Sequence, residues 1–302
     1  QSAQVIKWVR NKATIEGFCG FFNQVMQHMI EQKLTPDRMF NADETGFAQK
    51  SKSWKVIAMN GSKNIWKQVE ASFHLSMMAC VNALGFVVPP LFIVPEQWLN
   101  HDVMDGCPID GARITVAAKG FMNSSVFLKW LWHFKATVPA AIRWPLLLVY
   151  DGYSSHYSEE IVMEAVRLKV ILSLLPSNST HMIQPLDVSV FKPFKTILKR
   201  CIEQFMIEST ATTISKKDAI TLASQAWMDG IVSKEQNIKS GFEACGLWPL
   251  SFIKMQSWWK MYHDGGVPNL ELPTWLKTGK QFGARYLISL RSPLILWSVI
   301  RH

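Results

Sequence analysis

Between residues 145 and 175 the chain leaves little freedom of topology. Pro145-Leu146-Leu147-Leu148-Val149-Tyr150-Asp151-Gly152 is an apolar run bounded by turn residues, the pattern of a strand buried on both faces. Residues 158–168 follow with helical spacing, and 170–175 form a second apolar run. Strand, helix and strand in so short a length predict a β-α-β unit, whose strands lie parallel and whose crossover is right-handed. A parallel pair needs cover on both faces. With 302 residues and 48% hydrophobic content, the chain can supply it.

Upstream the pattern is different. Residues 39–43 read as a strand running into Asp43-Glu44-Thr45-Gly46, and 55–59 and 73–80 read as further strands. Asn82-Ala83-Leu84-Gly85 reads as a turn and 86–94 as the returning strand. Pro89-Pro90 in that strand predicts a sheet edge or a strand end, because proline has no N–H for a ladder. Residues 114–117 form a short extended piece, Asn123-Ser124-Ser125 can cap a helix reaching Phe134, and a further helix spans about 188–205. In residues 1–36, Phe18, Phe21, Phe22, Val25, Met26 and Met29 share one helical stripe that stops at Thr35-Pro36. That helix is expected beside the core. The fold class is α/β, a mixed sheet flanked by helices.

Three aspartates stand where these elements end or begin. Asp43 closes Met39-Phe40-Asn41-Ala42, Asp151 closes the apolar run, and Asp187 ends Leu175-Pro176-Ser177-Asn178-Ser179-Thr180-His181-Met182-Ile183-Gln184-Pro185-Leu186 just before a helix. Each has an ordinary reading: Asp before Gly is a turn residue, and Asp before an apolar helix is an N-cap. Taken together they suggest a divalent-metal site, since Mg²⁺ prefers a few carboxylates and keeps several waters. Three carboxylates converging without a cation would repel one another and raise their pKa values.

Four segments in order carry a family resemblance: Asn41-Ala42-Asp43-Glu44-Thr45-Gly46, Asp151-Gly152-Tyr153-Ser154-Ser155-His156, residues 184–195 beginning Gln184-Pro185-Leu186-Asp187, and Gly241-Phe242-Glu243-Ala244-Cys245-Gly246-Leu247-Trp248-Pro249. With Asp151 and Asp187 spaced 36 positions apart, residues 41–250 resemble the DDE transposases of the pogo and Tigger type, relatives of centromere protein B and the Jerky-like proteins. The resemblance implies a ribonuclease H-like fold with additional helices at both ends. It also implies that Asp43 and Asp151 hold Mg²⁺ (or Mn²⁺), as two ions, and that Asp187 completes the site. Activated water would attack a DNA phosphodiester, and a freed 3′ hydroxyl can then attack target DNA. Location in the nucleus and action as a dimer or larger homo-oligomer are implied as well. A domesticated relative that binds DNA or chromatin without cutting is the alternative. Tyr153 stands where the family often has His, a difference that bears on substrate contacts and leaves the three aspartates intact.

The resemblance divides the chain into a helical lead-in (1–38), a catalytic domain (39–250) and a C-terminal extension (251–302). The segment 272–302 holds no acidic residue and does not match the family. The opening on Gln1 suggests that a segment precedes it, and the family's helix-turn-helix DNA-binding region would lie there.

A net charge of +9 favours an anionic partner, with nucleic acid first. Lys192, Lys195, Lys199 and Arg200 follow Asp187 with no acidic residue between Val188 and Ile202. They can neutralise DNA phosphates or simply form a solvated face. Strand alternation turns Glu44 away from Asp43, as a structural partner. His156 and His181 can contact phosphate or order their loops. Ser154-Ser155-His156 lacks the Gly-x-Ser-x-Gly elbow of a serine nucleophile, and Trp54 and Trp66 lie in a Lys-rich stretch that invites DNA contact. Five cysteines without close pairing suggest neither a disulfide framework nor a zinc knuckle. Membrane is not an expected partner: Pro89-Pro90, or Arg291 and Pro293, break the longest apolar stretches.

Overall fold

The computed structural model describes residues 12–47, 74–95, 101–151, 158–209 and 213–263. The expected strand at 55–59, Trp54, Trp66, Tyr153, Ser154, Ser155, His156 and the segment 272–302 lie outside the described residues. The chain divides into two compact units, Gln1–Trp259 and Lys260–His302. Of the second, 260–263 are described, as the end of helix α8 (Phe252–His263).

Six strands form one sheet: β1 (Met39–Gly46), β2 (Ser76–Asn82), β3 (Val87–Val94), β4 (Arg113–Val116), β5 (Leu146–Tyr150) and β6 (Val170–Leu174), in the order β4-β3-β2-β1-β5-β6. The β1–β2 and β2–β3 pairs are antiparallel, whereas β3–β4, β1–β5 and β5–β6 are parallel. The expected β-α-β unit is β5, α3 (Glu159–Arg167) and β6. Ser158 starts α3 by accepting from the Ile161 N–H at 3.3 Å, and Glu159 and Glu160 add negative charge at the positive end of the helix.

Pro89-Pro90 require a correction. β3 is not an edge strand, since it lies between β2 and β4. The prolines are accommodated because the β2–β3 register shifts between Met78, opposite Leu91, and Cys80, opposite Val88. On the other side, the β4 partners begin only at Leu91. A bulge on one flank and a late-starting neighbour on the other leave no ladder bond for a proline N–H to make.

One face of the sheet carries Phe40, Ala42, Leu146, Leu148 and Tyr150 into a core with Phe127, Trp130 and Phe134 of α2 (Ser124–Thr137) and Ile161 and Ala165 of α3. Asn123 caps α2 by accepting from the Val126 N–H at 3.0 Å. Phe127 stacks on Tyr150 with centroids 5.2 Å apart, and Phe40 meets Phe134 edge-on at 5.0 Å. Burial of each such ring contributes about 1.5–3 kcal/mol. This packing fixes which way the strands present their alternate residues.

In α1 (Ile15–Gln32) the buried stripe is Phe18, Phe21 and Val25, while Met26 is exposed. The buried Arg38 guanidinium anchors its end, donating to Gln32 O (3.0 Å), Lys33 O (3.1 Å) and, through Nε and Nη2, Pro145 O (3.1 and 2.8 Å). One side chain thereby joins the last carbonyls of α1 to the residue before β5.

Candidate metal and nucleic-acid site

Parallel pairing of β1 with β5 places Ala42 opposite Tyr150. Asp43 and Asp151 are therefore the next residues along two adjacent strands, about 5 Å apart in backbone. In-register neighbours share a face, so both depart from the one Ala42 and Tyr150 use for the core. The site thus lies where the parallel β1–β5 pairing stops, past the carboxyl end of β5; β1 does not end at Asp43 as the sequence suggests but runs on to Gly46, paired with β2.

Asp187 reaches this face from a different element. After a short helix, α4 (Thr180–Ile183), the chain makes a π-helical turn at Leu186–Val190 and continues as α5 (Phe191–Glu208). Such wide turns recur at functional sites. Asp187 is exposed in this turn, whereas Leu186 is wholly buried.

The charges of Asp187 and Asp151 both act on Asp43. The Asp43 carboxyl is held well above the usual carboxylate range, by burial first, then by the charge of Asp187, with Asp151 adding a smaller effect. Asp43 keeps some accessible surface, but the protein packed around its carboxyl makes desolvation the largest influence. Two groups pull the other way: the Glu44 N–H donates to Asp43 Oδ1 at 2.8 Å, and the Gln184 amide favours the charged form. Gln184 is wholly buried, yet neither of its polar side-chain atoms completes a hydrogen bond of ordinary geometry. Among the described residues, no three His, Cys, Asp or Glu side chains are close enough to hold a metal ion as they stand. The donor chemistry nonetheless suits a hard divalent cation: the desolvated Asp43 carboxyl feels the charges of Asp187 and Asp151 and has the buried Gln184 amide beside it.

The expected basic stretch lies next to this cluster. A groove of about 550 Å³ is lined by Asp187, Phe191, Lys192, Lys195, Thr196 and Lys199. Lys199 also pairs with Glu203 at 3.7 Å. Arg200 does not line the groove; its charge acts on the Cys201 thiol, which Asp229 also influences. Glu44 faces away from Asp43 as alternation requires, and its Oε2 accepts from the Met122 N–H at 3.1 Å. His181 lies half-buried in α4.

Two polar residues escaped the reading of the sequence as site residues. Asn41 and Gln184 were legible only as parts of motifs, although a polar side chain two positions before Asp43 on the same strand face was a usable signal. Both are wholly buried.

A family model described as DDE superfamily endonuclease matches residues 74–242, more than half of the chain. Among curated relatives, "MFS-type transporter clz9" of Cochliobolus lunatus is 27% identical over 235 residues, covering 74% of this chain and 25% of that protein. "Pogo transposable element with KRAB domain" of Mus musculus is 23% identical over 221 residues, covering 69% of this chain and 35% of that protein. The chain thus spans between a quarter and about a third of the length of these relatives. Transport, in the first name, describes a protein of which only a quarter is matched; no described helix is long and apolar enough to cross a membrane. Among solved structures, the Mos1 mariner paired end complex with Mn superposes with a TM-score of 0.51 at 10% identity, covering 90% of this chain and 68% of that one. The mixed sheet with flanking helices is the ribonuclease H-like fold of that transposase.

Proposed function

This chain belongs to the DDE superfamily endonuclease family, and we propose that it is a transposase core that cuts DNA phosphodiesters, and joins them, with two divalent cations held by Asp43, Asp151 and Asp187. The observation that carries this reading is the placement of Asp43 within β1 and Asp151 just past β5, each one residue beyond the Ala42–Tyr150 pair, with the Asp187 charge acting on the same buried carboxyl. Mg²⁺ or Mn²⁺ bound there supplies Lewis acidity toward the attacking and leaving oxygens. The chain's own residues do the rest: the carboxylates bind the ions, the buried Asn41 and Gln184 set the floor of the site, and the lysine groove beside Asp187 receives phosphates. The solved neighbour, a paired end complex with Mn, supports a divalent ion and DNA ends as ligands of an assembly of more than one copy. Work on chromosomal DNA implies the nucleus.

The test is incubation of end-labelled duplex and nicked DNA with the purified protein in Mg²⁺ or Mn²⁺, with and without a chelator. Cleavage products that need the metal are expected. DNA bound but left intact at saturating Mn²⁺ would instead support a DNA- or chromatin-binding protein that does not cut.

The groove makes its own prediction. Each phosphate neutralised contributes about −0.9 to the slope of log affinity against log salt. Replacing Lys192, Lys195 and Lys199 together by Gln should therefore flatten the slope by roughly 2 to 3, measured by fluorescence anisotropy. Arg200→Gln should leave it nearly unchanged, since that side chain does not line the groove. Equal slopes for the triple variant and the parent would remove the groove from the DNA path.

A further inference from the structure

Asn41 is wholly buried in β1, and its amide spans two elements at once. Its Nδ2 donates to Val149 O at 3.0 Å, and its Oδ1 accepts from the Leu186 N–H at 3.0 Å. Val149 lies two residues before Asp151, Leu186 one residue before Asp187, and Asn41 itself two residues before Asp43. From the strand that carries Asp43, a single side chain therefore holds the backbone leading to each of the other two aspartates. The contact to Leu186 joins residues 145 positions apart, and the π-helical turn is also tied to a second helix. There, Ser189 Oγ donates to Asn237 O of α7 (Glu235–Ala244) at 2.8 Å.

We infer that Asn41 is a positioning residue of the site: its amide sets the distance at which the Asp187 turn stands from the middle of β1 and the end of β5, and so decides whether the three carboxylates can share cations. The inference rests on the metal-site reading above. The chemistry requires a primary amide. The donor must reach a strand carbonyl and the acceptor the N–H of the turn; an ionised carboxylate has no donor, and a hydroxyl must serve both from one oxygen on a shorter arm. No other residue type of this size satisfies both. Loss of the amide leaves a buried carbonyl and a buried N–H unpaired and lets the turn drift outward, away from Asp43.

Calorimetric titration with Mn²⁺ tests this on the full chain, using Asn41→Leu, which keeps the volume, and Asn41→Ser, which keeps one polar group and guards against a Leu variant that does not fold. Leu222→Ala on α6 (Lys216–Gly230), in a helix remote from the aspartates in sequence, serves as a control for lost stability alone. Changing a residue that orients metal ligands costs about 10- to 100-fold in metal affinity. That loss is expected in both Asn41 variants at temperatures where circular dichroism shows them folded, together with a lower kcat and unchanged DNA affinity. Leu222→Ala should lose melting temperature and keep the Mn²⁺ affinity of the parent. Folded Asn41 variants that bind Mn²⁺ like the parent overturn the inference alone, as does an equal loss of affinity in the control. A parent chain that binds no Mn²⁺ overturns the metal-site reading and this inference with it.

Discussion

Asp43→Asn is expected to lower metal-dependent cleavage by about 10³-fold while making the metal-free protein more stable at neutral pH. The first effect follows from the several kcal/mol of transition-state charge stabilisation that a bound cation supplies, at about 1.4 kcal/mol per tenfold in rate. The second follows from the cause of the raised pKa: burial and two like charges disfavour the ionised Asp43 carboxyl in the folded state. An acid whose folded pKa is raised contributes stability that is fully present below its unfolded value, near pH 4, and that is lost as pH rises through the folded value. Asparagine keeps the shape and never ionises. The two melting curves should therefore agree in acid, where both side chains are neutral and either Oδ1 can accept from the Glu44 N–H, and diverge as pH rises, with the variant higher. Saturating Mn²⁺ should reverse the order, because the cation stabilises only the parent. Melting temperatures across this pH range, with and without Mn²⁺, decide the matter; a difference that does not vary with pH would sink the argument.

The β-α-β unit was legible because all its determinants are local. An unbroken apolar run, a cap followed by two glutamates and a second apolar run fix the elements, and chirality fixes their connection. The three aspartates stood out for the same reason, each next to a local pattern, although β1 runs past Asp43 to Gly46 because its later residues pair with β2. What remained hidden depends on partners far away in the chain. Pro89-Pro90 read as an edge signal, because nothing local to β3 reveals that the register of β2 slips opposite them or that β4 pairs only from Leu91. Arg38 gave no sign of its burial, since its partners are the carbonyls of Gln32, Lys33 and Pro145, the last 107 positions away. The exclusion of Arg200 from the groove was open to inspection. Lys192, Lys195 and Lys199 recur at helical spacing on one face, whereas position 200 lies a further step of about 100° around the helix.

Gly241→Val is expected to destabilise the fold by about 3 kcal/mol, at the upper end of the cost of overpacking, and to weaken Mn²⁺ binding. Helix propensity alone predicts the reverse, since replacing a helical glycine with a residue that has a Cβ usually gains up to about 1 kcal/mol. Packing decides the sign. A Cβ at Gly241 would run into Ser189 Oγ and stand 3.0 Å from Pro185 O. Ser189 cannot turn aside without giving up its bonds to Pro185 O and Asn237 O, and Pro185 and Ser189 bracket Asp187 in the π-helical turn. Relief must therefore come from moving the turn itself, which displaces Asp187 from Asp43; a misplacement of about 1 Å can cost 10²-fold in activity. Gly20 in α1 supplies the contrast, because a Cβ there would meet nothing within 4 Å. Gly20→Ala should raise stability by about 0.5–1 kcal/mol, leaving Mn²⁺ binding untouched. Thermal unfolding and Mn²⁺ titration of the two variants separate propensity from contact. If Gly241→Val melts at or above the parent temperature, α7 does not hold the Asp187 turn in place, and the site is organised from the sheet side alone.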